Sequence, residues 1–271
     1  MTAGARRREG ELRANAVCYE SALIDAVTPM KKATIHRWLG TALSVPACAA
    51  VFALAAVPVI GGREANAGSV PANGVLWSEH FDGAVDWADP ESHRASELAR
   101  VYSIVREGPF AFLHARHDYT VPSPPKAMHF GKTFPDHAIP LERVAAFRWR
   151  WRARVQPPVI DDPWLDMAAG IYVVMKAPSL FSKGRGFKFG WLAKPGPAGT
   201  KQHGLLQVQV RTDPPSERWA SESMNLCELY RRQFGPCEGE HVLYIGVTTD
   251  ADGTRSVAEG DYADFELRTA P

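Results

Sequence analysis

The sequence predicts an all-β fold, a two-sheet jelly-roll-like β-sandwich with one or two short helices, preceded by a signal peptide. Three observations carry this. Runs of β-branched and aromatic residues recur at short intervals after residue 68, separated by Gly, Pro and Asp clusters of the kind that turn one strand into the next. The segment Phe147-Arg148-Trp149-Arg150-Trp151-Arg152-Ala153-Arg154-Val155 alternates apolar and charged residues with the period of two that a half-buried strand requires. An uncharged stretch from Leu39 to Gly62 follows the basic residues Lys31, Lys32, His36 and Arg37 and ends near Ala65-Asn66-Ala67, the small-x-small pattern of an export cleavage site.

That N-terminal pattern divides the chain. Residues 30–67 read as a signal peptide, residues 68–271 as the sandwich domain, and residues 1–29 as a mis-assigned extension, since an n-region has no use for sequence upstream of Met30. The apolar stretch is long enough to span a bilayer. Pro46, Pro58 and the cleavage triplet favour removal over an anchor. Cys48 lies inside that stretch with apolar residues still to follow, so it reads as a small apolar residue and not as a lipid-bearing first residue. The expected location is the periplasm or the medium.

Charge excludes more than it identifies. The whole chain carries 31 basic and 30 acidic residues, and residues 68–271 keep 23 against 25. Such a balance offers no long-range attraction to nucleic acid or, once the signal peptide is gone, to an anionic membrane. Any anion must be met by a local cluster.

Eleven strands are predicted: Leu76–Phe81, Val101–Glu107, Phe110–His117, Lys126–Phe134, Arg143–Val155, Ala168–Ala177, Phe187–Ala193, Leu205–Thr212, Trp219–Met224, Val242–Thr249 and Ser256–Arg268. That number exceeds what one open sheet usually holds, hence two packed sheets. Short helices are expected at Glu91–Ala99 and Cys227–Phe234. In the alternating strand, Phe147, Trp149, Trp151, Ala153 and Val155 should face the core, leaving Arg148, Arg150, Arg152 and Arg154 as a comb on the other face. Met167 to Met175 is apolar at nearly every position, the mark of a central strand covered on both sides. In the last strand, inward Ala263, Phe265 and Leu267 would turn Tyr262, Asp264 and Glu266 outward, where the acids could pair with the comb.

Cys227 and Cys237 are the only cysteines after residue 67, and in an exported domain a pair is most simply a disulfide. Closing so short a loop stabilises by roughly 2–3 kcal/mol in the chain-entropy view. A redox or metal-binding pair would need tighter spacing.

In their order along the chain, Phe147-Arg148-Trp149-Arg150-Trp151, Asp161-Asp162, Ile171-Tyr172-Val173-Val174, Trp219 to Asn225, Gly235, and Thr249 to Thr254 followed by Tyr262-Ala263-Asp264 resemble the bacterial domain-of-unknown-function family 3047. The resemblance covers nearly all of residues 68–271 and implies an exported β-rich domain without an established activity. Two departures stand out. The family pattern has an Arg before the Tyr-Val-Val strand where this chain has Ala168-Ala169-Gly170, and Asp-Asn-Thr where Asp252-Gly253-Thr254 stands. If that Arg pairs with the acidic pair in the family, Asp161 and Asp162 are freer here.

The candidate site residues follow from chemistry. Arg148, Arg150 and Arg152, with Asp264 beside them, could bind an anionic ligand such as an acidic sugar. Asp161, Asp162 and Asp166 surround Trp164, a pattern that suits acid–base cleavage of a glycoside with an aromatic to stack on the sugar, or merely a solvated loop after Pro157-Pro158. Asp250 and Asp252 alternate as calcium ligands do, yet Asp and Gly are equally what a hairpin turn needs, and the turn is favoured. His114, His117 and His129 do not converge, because His114 and His117 emerge on opposite faces of one strand. No cofactor is required by any motif, with calcium at Asp250 and Asp252 the one exception considered. Three functions stay open: a non-catalytic binding module for cell-envelope or extracellular glycan, the reading favoured by seven tryptophans after residue 67; a polysaccharide hydrolase or lyase; and a structural envelope protein with no small ligand.

Overall fold

The computed structural model describes residues 74–270 apart from 90–94, 136, 160, 178–183, 198, 200 and 203. The expected extension, signal peptide and Cys48 lie outside the described residues. Twelve strands and two α-helices are present among those described: β1 (Val75–Glu79), α1 (Ala95–Val101), β2 (Tyr102–Glu107), β3 (Phe110–Asp118), β4 (Phe130–Thr133), β5 (Ala146–Val155), β6 (Met167–Lys176), β7 (Arg185–Trp191), β8 (Lys201–Gln202), β9 (Leu205–Arg211), β10 (Ala220–Met224), α2 (Leu226–Phe234), β11 (Tyr244–Asp250) and β12 (Val257–Arg268). A 3-10 turn spans Leu141–Arg143. No described helix is long and apolar enough to cross a membrane.

The strands form two six-stranded sheets. The first runs β10-β5-β12-β3-β2, with β1 also paired to β12, and the second runs β4-β11-β6-β7-β9-β8. All pairings are antiparallel except β7 with β9, which lie parallel in register from Gly186↔Leu205 onward. The all-β two-sheet sandwich is therefore the architecture, and each expected strand is present; the two-residue β8 is the addition.

Side chains interdigitate between the sheets. Phe147, Trp149, Trp151 and Ala153 of β5 point inward as the period of two requires and are at most 1 % exposed. They meet β7: Trp149 lies 5.3 Å from Phe189 and Trp151 5.7 Å from Trp191 between ring centroids. Val155 breaks the pattern, since at 36 % exposure it has run past the edge of the core. The strand β6 is buried at every residue but Lys176 and lies in the sheet between β11 and β7.

The sheets converge at one end. A Cβ on Gly260 of β12 would collide with the Ala168 carbonyl oxygen of β6, so only glycine allows that approach. Here Tyr262 donates its hydroxyl to the Thr248 carbonyl at 2.7 Å and accepts from the Gly170 amide at 3.2 Å. Tyr262 thus faces the core, fully buried, contrary to the expected outward position. The cause is a bulge: β12 pairs Ala263 with Arg150 but Glu266 with Arg148, so two residues, Asp264 and Phe265, oppose Trp149 alone. Asp264 takes up the extra residue with φ +51°, which shifts the in–out phase and leaves Phe265 and Leu267 inward on the far side.

The helix α2 begins at Asn225, whose side chain accepts from the Glu228 amide at 2.9 Å, and ends at Gly235 with φ +103°. The Cys227–Cys237 disulfide joins its first turn to the loop beyond it. The described part of α1 starts at Ala95 and runs to Val101, two residues further than expected.

Candidate functional site

Three places gather the chemistry-bearing residues: the outer face of the first sheet, the loop after β11, and the outer face of the second sheet.

On the first sheet the arginine comb exists, and its neighbours supply the counter-charges. Arg150 donates to Asp264 at 3.0 Å, and His80 lies 2.9 Å from the other oxygen of that carboxylate. Arg152 is buried and donates through Nε to the fully buried Asp261 at 2.5 Å, with His114 Nδ1 2.7 Å from the same carboxylate. Arg154 reaches Glu217 at 3.2 Å and Glu259 at 3.5 Å. Aromatic rings fill the gaps: the Arg150 guanidinium sits 5.0 Å from the Phe110 centroid and 5.3 Å from Trp219, and that of Arg152 lies 5.1 Å from Phe112 and 4.6 Å from Trp219. Glu266 bonds Arg268 in place of the comb. Arg148 is exposed, and none of the ion pairs among the described residues includes it. Three of the four comb cations, Arg150, Arg152 and Arg154, are thus matched by nearby carboxylates, which leaves little net field for a ligand.

The loop after β11 draws three carboxylates together. Ligand oxygens of Asp166, Asp250 and Asp252 lie within 4.8 Å of one another. Asp166 accepts from the amides of Gly253 at 3.1 Å and Thr254 at 2.7 Å, and Asp250 accepts from the Asp252 amide at 3.1 Å. These bonds tie down the turn at Asp250 to Thr254; it is not the expected hairpin, because β11 and β12 are unpaired and lie in different sheets, so the turn carries the chain from the second sheet to the first. Buried His117 borders the cluster: Nε2–H donates to the Pro125 carbonyl at 2.9 Å, and Nδ1 lies 3.2 Å from the Asp250 carboxylate. Burial lowers its pKa, but Asp250 outweighs that and raises it overall. Burial, with Asp250 and Asp166 close by, pushes the Asp252 carboxyl up to about 7, and burial together with Asp250 raises Asp166.

Asp161 and Asp162 do not join this cluster. Both are exposed, and Asp162 accepts from the Trp164 amide at 2.9 Å in a local turn. Trp164 is itself 1 % exposed and packs with Met167 and Leu192, so the ring expected to stack on a sugar is buried. Its ring occupies the space above two glycines, where a Cβ would come within 2.7 Å at Gly190 and 2.6 Å at Gly196.

The second sheet presents a different surface. Cross-strand register aligns Gly131, Gly246, Tyr172, Lys188 and Gln207 in one outward row over β4, β11, β6, β7 and β9. A neighbouring row adds Tyr244, Val174, Gly186 and Leu205, and Tyr172, Val174, Leu205 and Tyr244 make a separate apolar cluster. The glycines make room: a Cβ on Gly131 would stand 2.5 Å from the Tyr244 hydroxyl. Lys188 donates to the Trp164 carbonyl at 2.7 Å and lies 5.4 Å from the Tyr172 ring centroid, against which His129 packs at 4.3 Å. Burial lowers the Lys188 ammonium to about 8, partly opposed by Asp250, Asp162 and Asp166. The Tyr172 and Tyr244 phenols are raised, foremost by burial. The Tyr244 hydroxyl is buried without a hydrogen-bond partner in the structure, a condition uncommon in folded proteins.

Nothing in the sequence singled out Lys188, Gln207 or Tyr244. The signal available was an isolated Lys within the apolar run Phe187-Lys188-Phe189, opposite Tyr172 only once the strands are paired. Histidines at 114, 117 and 129 stay apart as expected, held by Asp261, Asp250 and Tyr172 respectively.

No family model matches the chain, and no curated protein matches it. Among solved structures the chain is similar to the K1 cleaved adhesin domain of Lys-gingipain from Porphyromonas gingivalis W83, at 10% identity and a TM-score of 0.32 over 72% of this chain and 98% of that one.

Proposed function

We propose that the chain is an exported, non-catalytic binding domain that takes one sugar unit of a cell-envelope or extracellular glycan on the outer face of the second sheet. The observation that carries this is the row Tyr172–Lys188–Gln207 with Tyr244 beside it: aromatic surface, one cation and one amide converge on a largely apolar floor, the usual make-up of a small-ligand site. A ring stacked on tyrosine and hydroxyls bonded by Lys188 and Gln207 suit a sugar, and the cation prefers one bearing a carboxylate. Each of the four side chains is at most 7 % exposed, so a ligand enters only when the border of the face moves, and association is slow for that reason. The kinship to family 3047 is part of the same proposal and rests on motif order alone.

Purified full-length protein tested against a panel of neutral and uronic-acid glycans should bind an acidic member. Gln207→Ala should weaken that binding about tenfold, the effect of losing one hydrogen bond of roughly 1.4 kcal/mol in a buried site, while Arg148→Ala leaves it unchanged. Binding that survives Gln207→Ala and fails in Arg148→Ala would move the site to the first sheet; no binding to any glycan removes the proposal.

A second reading has one observation in its favour. His129, Tyr172 and Lys188 are contiguous, as acid, base and charge-stabilising groups of a polysaccharide lyase would be. Release of unsaturated sugar ends by the wild-type protein, lost in Tyr172→Phe, distinguishes it from binding alone.

A further inference from the structure

We infer that His137 and His241 together bind one divalent transition-metal ion of the zinc, nickel or copper kind. They are 104 residues apart in sequence, yet His137 Nδ1 and His241 Nε2 stand 3.4 Å from each other, with the rings perpendicular and their centroids 4.5 Å apart. That spacing is long for a hydrogen bond to a ring nitrogen, which prefers about 2.7–3.2 Å. It matches the span of two metal–nitrogen bonds of about 2.0–2.1 Å meeting at a tetrahedral angle, which is about 3.3–3.4 Å.

The backbone holds this geometry. The segments carrying the two histidines are laced together: Phe134 donates to the Leu243 carbonyl at 2.9 Å, Val242 to Ile139 at 2.9 Å and Leu141 to Glu240 at 2.8 Å, and Pro140 bridges His241. His137 itself has φ +63°, a left-handed backbone uncommon outside glycine, at the turn that brings its ring to His241. His137 is exposed and His241 half-buried, so the pair lies at the surface of the protein. Imidazole pairs select zinc, copper or nickel over calcium or magnesium, which demand oxygen. With two protein ligands, the remaining positions fall to water or to an oxygen of a bound molecule, and affinity is moderate. This site is separate from the sugar-binding face and stands whether or not that proposal holds.

The test is titration of the full-length protein with zinc against a colorimetric chelator at neutral pH. The wild-type chain should bind one equivalent that His137→Ala and His241→Ala each weaken at least tenfold and that His80→Ala leaves unchanged; calcium should not compete. Binding should weaken in acid, because protons compete for the ring nitrogens. Should either variant fold poorly, the unmutated protein gives the same answer: zinc must shift the ring-proton resonances of both His137 and His241. Unchanged zinc affinity in the two variants, or no shift of these resonances, overturns the assignment.

Discussion

The outer faces of the two sheets carry cations in opposite circumstances. On the first sheet Arg150, Arg152 and Arg154 each have a carboxylate on a neighbouring strand or loop. On the second, Lys188 is enclosed, and its ammonium is bound by a neutral carbonyl, that of Trp164. Period-two patterning puts a charged side chain on the outside of a sheet in both cases; what the cation then does depends on its partners. Matched charges stiffen a surface, whereas a desolvated cation without a bonded carboxylate retains the capacity to meet an anion that arrives.

The largest effect should come from breaking the buried Arg152–Asp261 pair. Asp261→Ala leaves Arg152 with only exposed acids nearby and should cost about 3–5 kcal/mol, the usual result of orphaning a buried charge; a fall in unfolding midpoint of only a degree or two would show that this pair is no structural anchor.

Lys188 supplies the next test, through pH. Its folded pKa, lowered by burial to about 8, lies below the ordinary 10.5, so between those values the unfolded chain holds the proton that the folded chain has released. Stability from this group therefore rises as pH climbs from about 8 to 10.5. Lys188→Met should abolish that rise, read as the difference between the two proteins in denaturant unfolding across the interval, and should be neutral or stabilising at pH 7. A variant with the same slope as the wild type would mean that the ammonium is well solvated.

Asp252 has the opposite sign. Its carboxyl, raised mainly by burial to about 7 against 3.8, keeps its proton in the folded chain at pH values where the unfolded chain has lost it, so this contribution declines as pH rises from about 4 to 7. Asp252→Asn should flatten the decline and raise the melting temperature at pH 7.5. A lower melting temperature in the variant at that pH contradicts the crowding of the three carboxylates.

The smallest change is expected from Arg150→Ala. Both partners of the Arg150–Asp264 pair are about a third exposed, and exposed pairs contribute roughly 0.2–1 kcal/mol. A loss well above that, measured by chemical unfolding, would mean the aromatic sandwich around Arg150 matters more than its charge.

Much of the architecture was legible because the strands obey simple rules. Alternation in β5 and continuous apolarity in β6 are properties of each segment alone; the second holds throughout, and the first places the apolar side chains from Phe147 to Ala153 inward but fails at Val155. The limits were non-local. Plain alternation back from Leu267 turns Tyr262 outward, and the bulge at Asp264 that reverses it has no glycine or proline to announce it. Trp164, between two aspartates in a loop, looked exposed; its burial depends on Gly190 and Gly196, residues whose relevance appears only when the loop is folded over them. The row on the second sheet needs the register of five strands, and a parallel pair at β7–β9 that no local signal specifies.

The central claim, that ligand is met on the second sheet and not on the arginine comb, is tested most directly by following backbone amide resonances of the protein during titration with an acidic oligosaccharide. The account predicts shifts confined to the neighbourhood of Gly131, Tyr172, Lys188, Gln207 and Gly246, with Arg148, Arg150 and Ser221 undisturbed. Shifts centred on the comb, with the row on the second sheet silent, would contradict it.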